Sequence, residues 1–280
     1  MIEVRDLWFR YPGAPQDTLR GLGFAVGPGE VFGLLGPSGT GKSTVVGVLT
    51  GALHGYRGTV RILGDDGAAD RARRSRIGVG FEVPSLYSRL TARENLDLFA
   101  ALHGVPLLDV DARLAPLGLE DHADQRVEAF SKGMKSRLDL CRALLSDPDL
   151  LFVDEPTAAL DPGHARVVRD LRRAFADRGG AVLLTTHDMQ VAEAICDRVG
   201  LLIDGRFAAT GPPRALRARS EPPTIRVEAS SGAIREVPLL ALADDEALRQ
   251  AIREGHVRSL HTCEPTLEDV FVELTGRTLT

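Results

Sequence analysis

Nowhere in its 280 residues does the chain carry an apolar run approaching the ~18–20 residues of a membrane span. Its opening, Met1-Ile2-Glu3-Val4-Arg5, lacks the charged-then-apolar pattern of a secretory leader. The expectation is a chain that starts and stays in the cytosol unless a partner recruits it to a membrane. Cysteine is scarce: Cys141, Cys196 and Cys263 lie far apart and form no CxxC pair, which argues against a disulfide framework or a zinc site. Excess positive charge is missing too. A net charge of −5 gives no overall footprint for nucleic acid, and the local Arg71–Arg76 cluster reads as a solvated face. Internal repeats and low-complexity segments are absent. What remains, 44% hydrophobic and 26% charged, suits one large or two modest domains with ample core.

Against these absences one stretch stands out: Gly36-Pro37-Ser38-Gly39-Thr40-Gly41-Lys42-Ser43-Thr44, which matches G-x-x-x-x-G-K-[ST]. The apolar run Val31–Leu35 before it reads as a buried strand, and Ser43–Leu49 after it reads as a helix. The glycines allow the tight curl that turns successive N–H groups onto phosphate oxygens. The helix N-terminus and Lys42 add positive potential near β- and γ-phosphates, and Ser43 offers a hydroxyl to Mg²⁺. A Gly-rich strand–helix turn without a ligand is the alternative. It would not require strand, loop, lysine, serine and helix together.

The flanking chain supplies the frame. Residues 2–10 alternate about Ile2, Val4 and Leu7, and Leu22, Phe24 and Val26 alternate again before Gly27-Pro28-Gly29. With Thr59–Leu63 they suggest an antiparallel edge. After the short strand Ile77–Phe81 the pattern turns helical: Thr91 and Glu94 form a capping box, with Leu96, Leu98, Phe99 and Leu102 expected on one face. Further helical pieces are expected near 107–117 and 132–145. Strands Leu150–Val153, Ala181–Thr186 and Val199–Ile203 then alternate with helices His164–Asp177 and Met189–Cys196, the signature of a helix-covered parallel sheet. Gly211-Pro212-Pro213 and Glu221-Pro222-Pro223 bracket a boundary. Beyond it, strand-like segments Thr224–Val227 and Ile234–Val237 and helices Asp245–Glu254 and Thr266–Leu274 suggest a small separate α+β unit.

Ligands of such sheets bind at the carboxyl ends of the strands. At those ends stand the Gly36 loop, Glu82, Asp154-Glu155 and His187. Leu150–Glu155 resembles a Walker-B strand: Asp154 would hold Mg²⁺ and Glu155 would orient and deprotonate an attacking water, the alternative being a solvated turn or Asp154 as an N-cap. His187 either reaches a γ-phosphate or merely opens the next helix. Tyr11 either stacks on an adenine ring or caps a small core.

Together these motifs resemble the ATPase subunit of an ATP-binding cassette (ABC) transporter over nearly the whole chain. The resemblance implies a P-loop NTPase (RecA-like) α/β fold: a parallel-sheet core, an antiparallel β edge, and an inserted helical subdomain at about 84–145. The cassette would span 1–218 and a C-terminal extension 219–280. Tyr11 falls at the family's adenine-stacking aromatic and Glu82 in the loop that normally carries Gln. Ser131-Lys132-Gly133-Met134 falls at the signature, Asp161 at the D-loop and His187 at the switch histidine. Cofactors implied are ATP and Mg²⁺. Implied partners are a second copy, whose signature completes each ATP site head to tail, and an integral membrane permease. No nucleic-acid partner is implied.

The chain departs from the family pattern at Lys132, Met134 and Glu82. The S-K-G-M stretch and the tail Pro265–Phe271 resemble exporter ATPases of bacterial drug, lipid and polysaccharide efflux. Two other readings are an ABC ATPase acting on ribosomes or DNA, and a module that holds ATP without hydrolysing it. One cassette without heptads weighs against the first, and intact Lys42, Glu155 and His187 against the second.

Overall fold

The computed structural model of the chain describes residues 1–67, 73, 75–106, 109–154, 170, 173–218 and 223–276. Two compact units divide it, Met1–Thr210 and Gly211–Thr280.

The first unit is built on two sheets. Strands β1 (Ile2–Phe9), β2 (Leu19–Val26), β4 (Arg57–Ile62) and β5 (Asp65–Asp66) form an antiparallel sheet of order β2-β1-β4-β5. A six-stranded sheet has the order β10-β9-β3-β8-β7-β6. Its members are β3 (Val31–Leu35), β6 (Ile77–Gly80), β7 (Leu150–Asp154), β8 (Ala181–Thr186), β9 (Arg198–Ile203) and β10 (Arg206–Gly211). Five of its strands pair parallel in the order β9-β3-β8-β7-β6. β3 and β8 are buried at every residue, as continuous apolar strands covered on both faces should be.

Helix Lys42–Leu49 packs between the sheets. Val45, Val46, Val48 and Leu49 join one core with Ile2, Val4 and Leu22 of the antiparallel sheet and Phe32, Leu34, Phe152 and Leu183 of the parallel one. A helix apolar on nearly all sides is stable only when covered on nearly all sides. That requirement fixes the loop before it at the end of β3.

Between β6 and β7 lie helices Ala92–His103, Val110–Leu114 and Lys132–Ala143. Thr91 caps the first with the expected reciprocal Glu94. The buried face of this helix differs from the expected stripe: Ala92, Asn95, Leu96 and Ala100 point inward and Leu102 is 61% exposed. Asn95 is inside because its amide carries the backbone of the preceding loop, accepting from Tyr87 N at 2.8 Å and donating to Tyr87 O at 3.0 Å and Thr91 O at 2.8 Å. Within the 71–76 cluster, Arg76 pairs with Asp149 at 2.6 Å. Of the helix expected over 164–177, the described residues Asp170 and Arg173–Asp177 are helical. Glu155 and Asp161 lie outside the described residues.

The second unit holds a three-stranded antiparallel sheet of order β12-β11-β13, made of β11 (Thr224–Ala229), β12 (Ile234–Pro238) and β13 (Val257–Cys263). Helix Glu246–Arg253, capped by Asp245, lays Leu248 on Ile225, Val227 and Val237. Helices Pro213–Arg217 and Leu267–Thr275 pack together, the latter opened by a Thr266–Asp269 capping box.

Candidate nucleotide site

Because β3, β6, β7 and β8 run parallel, their carboxyl ends share one side of the sheet, and register brings the polar residues there into line. Leu35 pairs with Thr186, so Gly36 and His187 follow on neighbouring strands. Asp154 pairs with Thr185, and Gly80, two residues before Glu82, pairs with Val153.

The loop's glycines answer to hard steric limits. Gly36 has φ +155, and a Cβ there would sit 2.3 Å from the carbonyl oxygen of Leu202 in β9. Gly41, with φ +108, is the N-cap of helix Lys42–Leu49, and no side chain caps that terminus. The first turn therefore offers its N–H groups to whatever anion sits at the loop. Lys42 is 8% exposed and its Nζ donates to the carbonyls of Gly36 at 2.7 Å and Pro37 at 3.1 Å. The ammonium is thus folded back over the loop and its charge is satisfied there.

A cavity of about 420 Å³ opens above this loop, lined by Tyr11, Thr18, Ser38, Gly39, Gly41, Lys42, Ser43, Thr44, Glu82, Asp154 and His187. The structure thus gathers the phosphate loop with the residues expected from three other strand ends. Tyr11 packs on the small core, its ring edge-on to Phe9 at 4.9 Å, and it also lines the cavity, where its hydroxyl shares a hydrogen bond with Thr44 Oγ1 at 3.1 Å.

Ser43 Oγ donates to Asp154 Oδ2 at 3.3 Å, and Thr185 Oγ1 donates to Asp154 Oδ1. This hydroxyl–carboxylate pair is a hard oxygen donor set of the kind Mg²⁺ takes. Among the described residues no group of three His, Cys, Asp or Glu is gathered for a metal. A cation here would share its coordination with nucleotide phosphates, which is how Mg²⁺ is usually held.

Ser131–Met134 do not line this cavity. They open helix Lys132–Ala143, where Ser131 Oγ caps its own helix by accepting from Met134 N at 3.2 Å. Sequence reasoning missed Thr18, which no motif marks, and Thr185, which fixes the Asp154 carboxylate. A threonine pair closing an otherwise apolar buried strand was the available signal for Thr185.

The profile of the ABC transporter family matches residues 19–158. The chain belongs to the ABC transporter family. It is similar to a fluoroquinolones export ATP-binding protein of Mycobacterium tuberculosis, 44% identical over 100% of this chain and 95% of that protein. A Nod factor export ATP-binding protein I of Burkholderia lata is 38% identical over 93% of this chain and 92% of its own length. Among solved structures, an ATP-binding subunit of an ABC transporter superposes with a TM-score of 0.71 at 31% identity, covering 78% of this chain and 92% of that one. A dimeric ATP-binding cassette in a post-hydrolysis state, bound to ADP and Pi, gives 0.69 at 26% identity, covering 76% and 98%. The cassette is accordingly an ATPase with the P-loop α/β fold expected of it.

Proposed function

We infer that this chain binds and hydrolyses ATP to drive export through a separate membrane-spanning permease, to which it docks on the cytoplasmic face. The observation that carries this reading is the cavity that joins Tyr11, just after β1, to the Gly36–Thr44 loop, Glu82, Asp154 and His187 at the ends of four parallel strands. The described residues contain no helix long and apolar enough to cross a membrane, and the transport path is assigned to the partner. The names of the two export relatives support export. A drug or lipid-like cargo is the reading that the exporter resemblance carries, and the fluoroquinolones in the first relative's name support the drug kind.

In this reading the adenine lies against Tyr11 and the phosphates displace the Gly36 and Pro37 carbonyls from Lys42. Ser43 and Asp154 would hold Mg²⁺, which when bound would supply neutralisation of phosphate charge. Glu155 orients and deprotonates the attacking water, His187 contacts the γ-phosphate, and Asp161 belongs to the dimer-facing D-loop. Glu82 senses the metal with a carboxylate in place of an amide. Ser131–Met134 of a second copy close the cage, since a helix N-terminus is a ready anion site. The membrane partner fits the apolar side chains left outward around the loop after β6: Phe81, Val83, Tyr87 and Leu102 are 45%, 79%, 53% and 61% exposed.

The test is purification from the native host in mild detergent, with ATPase assay of the product. A co-purifying polytopic membrane protein and Mg²⁺-dependent turnover are expected. Recovery solely in ribosome or DNA complexes, or ATP binding without turnover, overturns the proposal.

A further inference from the structure

The loop that brings Glu82 to the cavity is suspended from the helix that opens with Ser131. The N–H of Phe81 donates to Asp139 Oδ2 at 2.8 Å, and that of Ser85 donates to Asp139 Oδ1 at 3.2 Å. Asp139 lies about two turns into helix Lys132–Ala143 and is 1% exposed. A buried carboxylate is tolerated only when fully paired. Arg142 completes the pairing: its Nε donates to Asp139 Oδ1 at 2.9 Å and its Nη2 to Val79 O at 2.6 Å. The same guanidinium lies over the rings of Phe81 at 5.5 Å and Phe99 at 5.0 Å. One aspartate thus takes three donors, and one arginine touches the end of β6, the loop and helix Ala92–His103. An i,i+3 pair that only decorated a helix would sit in water, whereas these side chains are 2% and 9% exposed. The far end of the loop is anchored separately, by Asn95 on Tyr87.

We propose that Asp139, held by Arg142, is a positioning residue that makes the Glu82 loop and the Ser131 helix one mechanical body. It transmits occupancy of the nucleotide cavity both to Ser131–Met134 and to the outward apolar face at Val83. The proposal rests on the reading of Ser131–Met134 as the surface presented to a second copy. Charge-assisted bonds fix the backbone on both sides of Glu82, so that backbone cannot shift toward or away from a ligand without drawing the helix with it.

The test compares wild type with Asp139→Asn, using amide hydrogen exchange over segments 81–87 and 131–137 with and without Mg·ATP, beside ATP affinity, kcat and KM. Asn is nearly isosteric. In the orientation that leaves Ser85 and Arg142 satisfied, its NH2 faces the Phe81 N–H and breaks that tether alone. In wild type, ATP should slow exchange in both segments. The variant should bind ATP within about threefold of wild type, exchange Phe81 about tenfold faster, lose the ATP effect over 131–137, and lose about tenfold in kcat at little-changed KM. Arg142→Lys keeps the charge but loses the bond to Val79. It should show the same loss of coupling more weakly, and it decides the matter if Asp139→Asn does not fold.

Retained ATP protection of both segments with unchanged kcat overturns the proposal. So does a loss of ATP affinity with faster exchange throughout Met1–Thr210, which marks a merely structural role. Exchange needs binding but not turnover. A wild type that protects both segments without hydrolysing ATP, while Asp139→Asn does not, would refute the ATPase reading and support the clamp.

Discussion

Gly36→Ala offers the sharpest test of the site's architecture, because the nearest obstacle is backbone. The added Cβ would lie 2.3 Å from Leu202 O and 3.0 Å from Thr40 Oγ1, at φ +155. No side-chain rotation relieves contact with a carbonyl held in β9, so β3 and β9 must separate or the loop must re-route. Backbone strain of about 1–3 kcal/mol and overpacking of about 1–3 kcal/mol sum to roughly 2–6 kcal/mol. For a unit of this size each kcal/mol moves Tm by about 2–4 °C, so a fall of about 4–24 °C is expected, with ATP binding lost. Gly39→Ala is the internal control: φ is +80, but nothing lies within 4 Å of the place its Cβ would take, leaving only conformational strain of about 1–2 kcal/mol. Calorimetry without nucleotide should separate the two clearly. Tm values within about 2 °C of each other would refute the claim that Gly36 is fixed by close approach to β9.

Three further outcomes follow from named contacts. Tyr11→Phe should keep ATP affinity within about threefold, since only the bond to Thr44 is lost, whereas Tyr11→Ala should lose about tenfold, an aromatic contact being worth about 1 kcal/mol or more; equal losses in a nucleotide-binding titration would remove the ring from its role. Glu82→Gln should raise the Mg²⁺ concentration needed for half-maximal turnover, and unchanged turnover, Mg²⁺ dependence and transport coupling would show that Glu82 does not sense the metal. Burial pushes the Cys141 thiol up to about 12, so at pH 8 only ~10⁻⁴ of it is thiolate, and iodoacetamide should modify the half-buried Cys263 of the native chain while Cys141 reacts only on unfolding. Since the folded thiol holds its proton more tightly than the unfolded one, the stability this contributes is complete below about pH 8.5 and is lost as pH rises toward 12.

What was legible in the sequence was local chemistry with a fixed spacing. The phosphate loop, the alternation of strands and helices, the Thr91–Glu94 cap and the polar residues closing β7 and β8 are each written within a few positions. The parallel register that aligns Asp154 with Thr185 and Leu35 with Thr186 then follows from the fold. What was hidden was the work of buried polar side chains. Periodicity put Leu102 inside and gave Asn95 no role, yet Asn95 is buried because it serves a loop backbone that no pattern reveals. Asp139 and Arg142 carry no mark in the sequence, and only the long-range bonds to Phe81, Ser85 and Val79 distinguish them from other charged helix residues. Thr18 reaches the cavity through the path of the chain between β1 and β2, which spacing does not encode.

The central claim is that the cavity over Gly36–Thr44 is half of a site. Ser131–Met134 do not line it; they open a separate helix, where Ser131 Oγ accepts from the Met134 N–H. The direct measurement is sedimentation of Glu155→Gln with and without Mg·ATP, beside the same chain carrying Ser131→Arg. A shift from one chain to two on adding ATP, abolished by Ser131→Arg while ATP still binds, is the predicted result. A chain that saturates with ATP and stays single, or a dimer indifferent to Ser131→Arg, would contradict it.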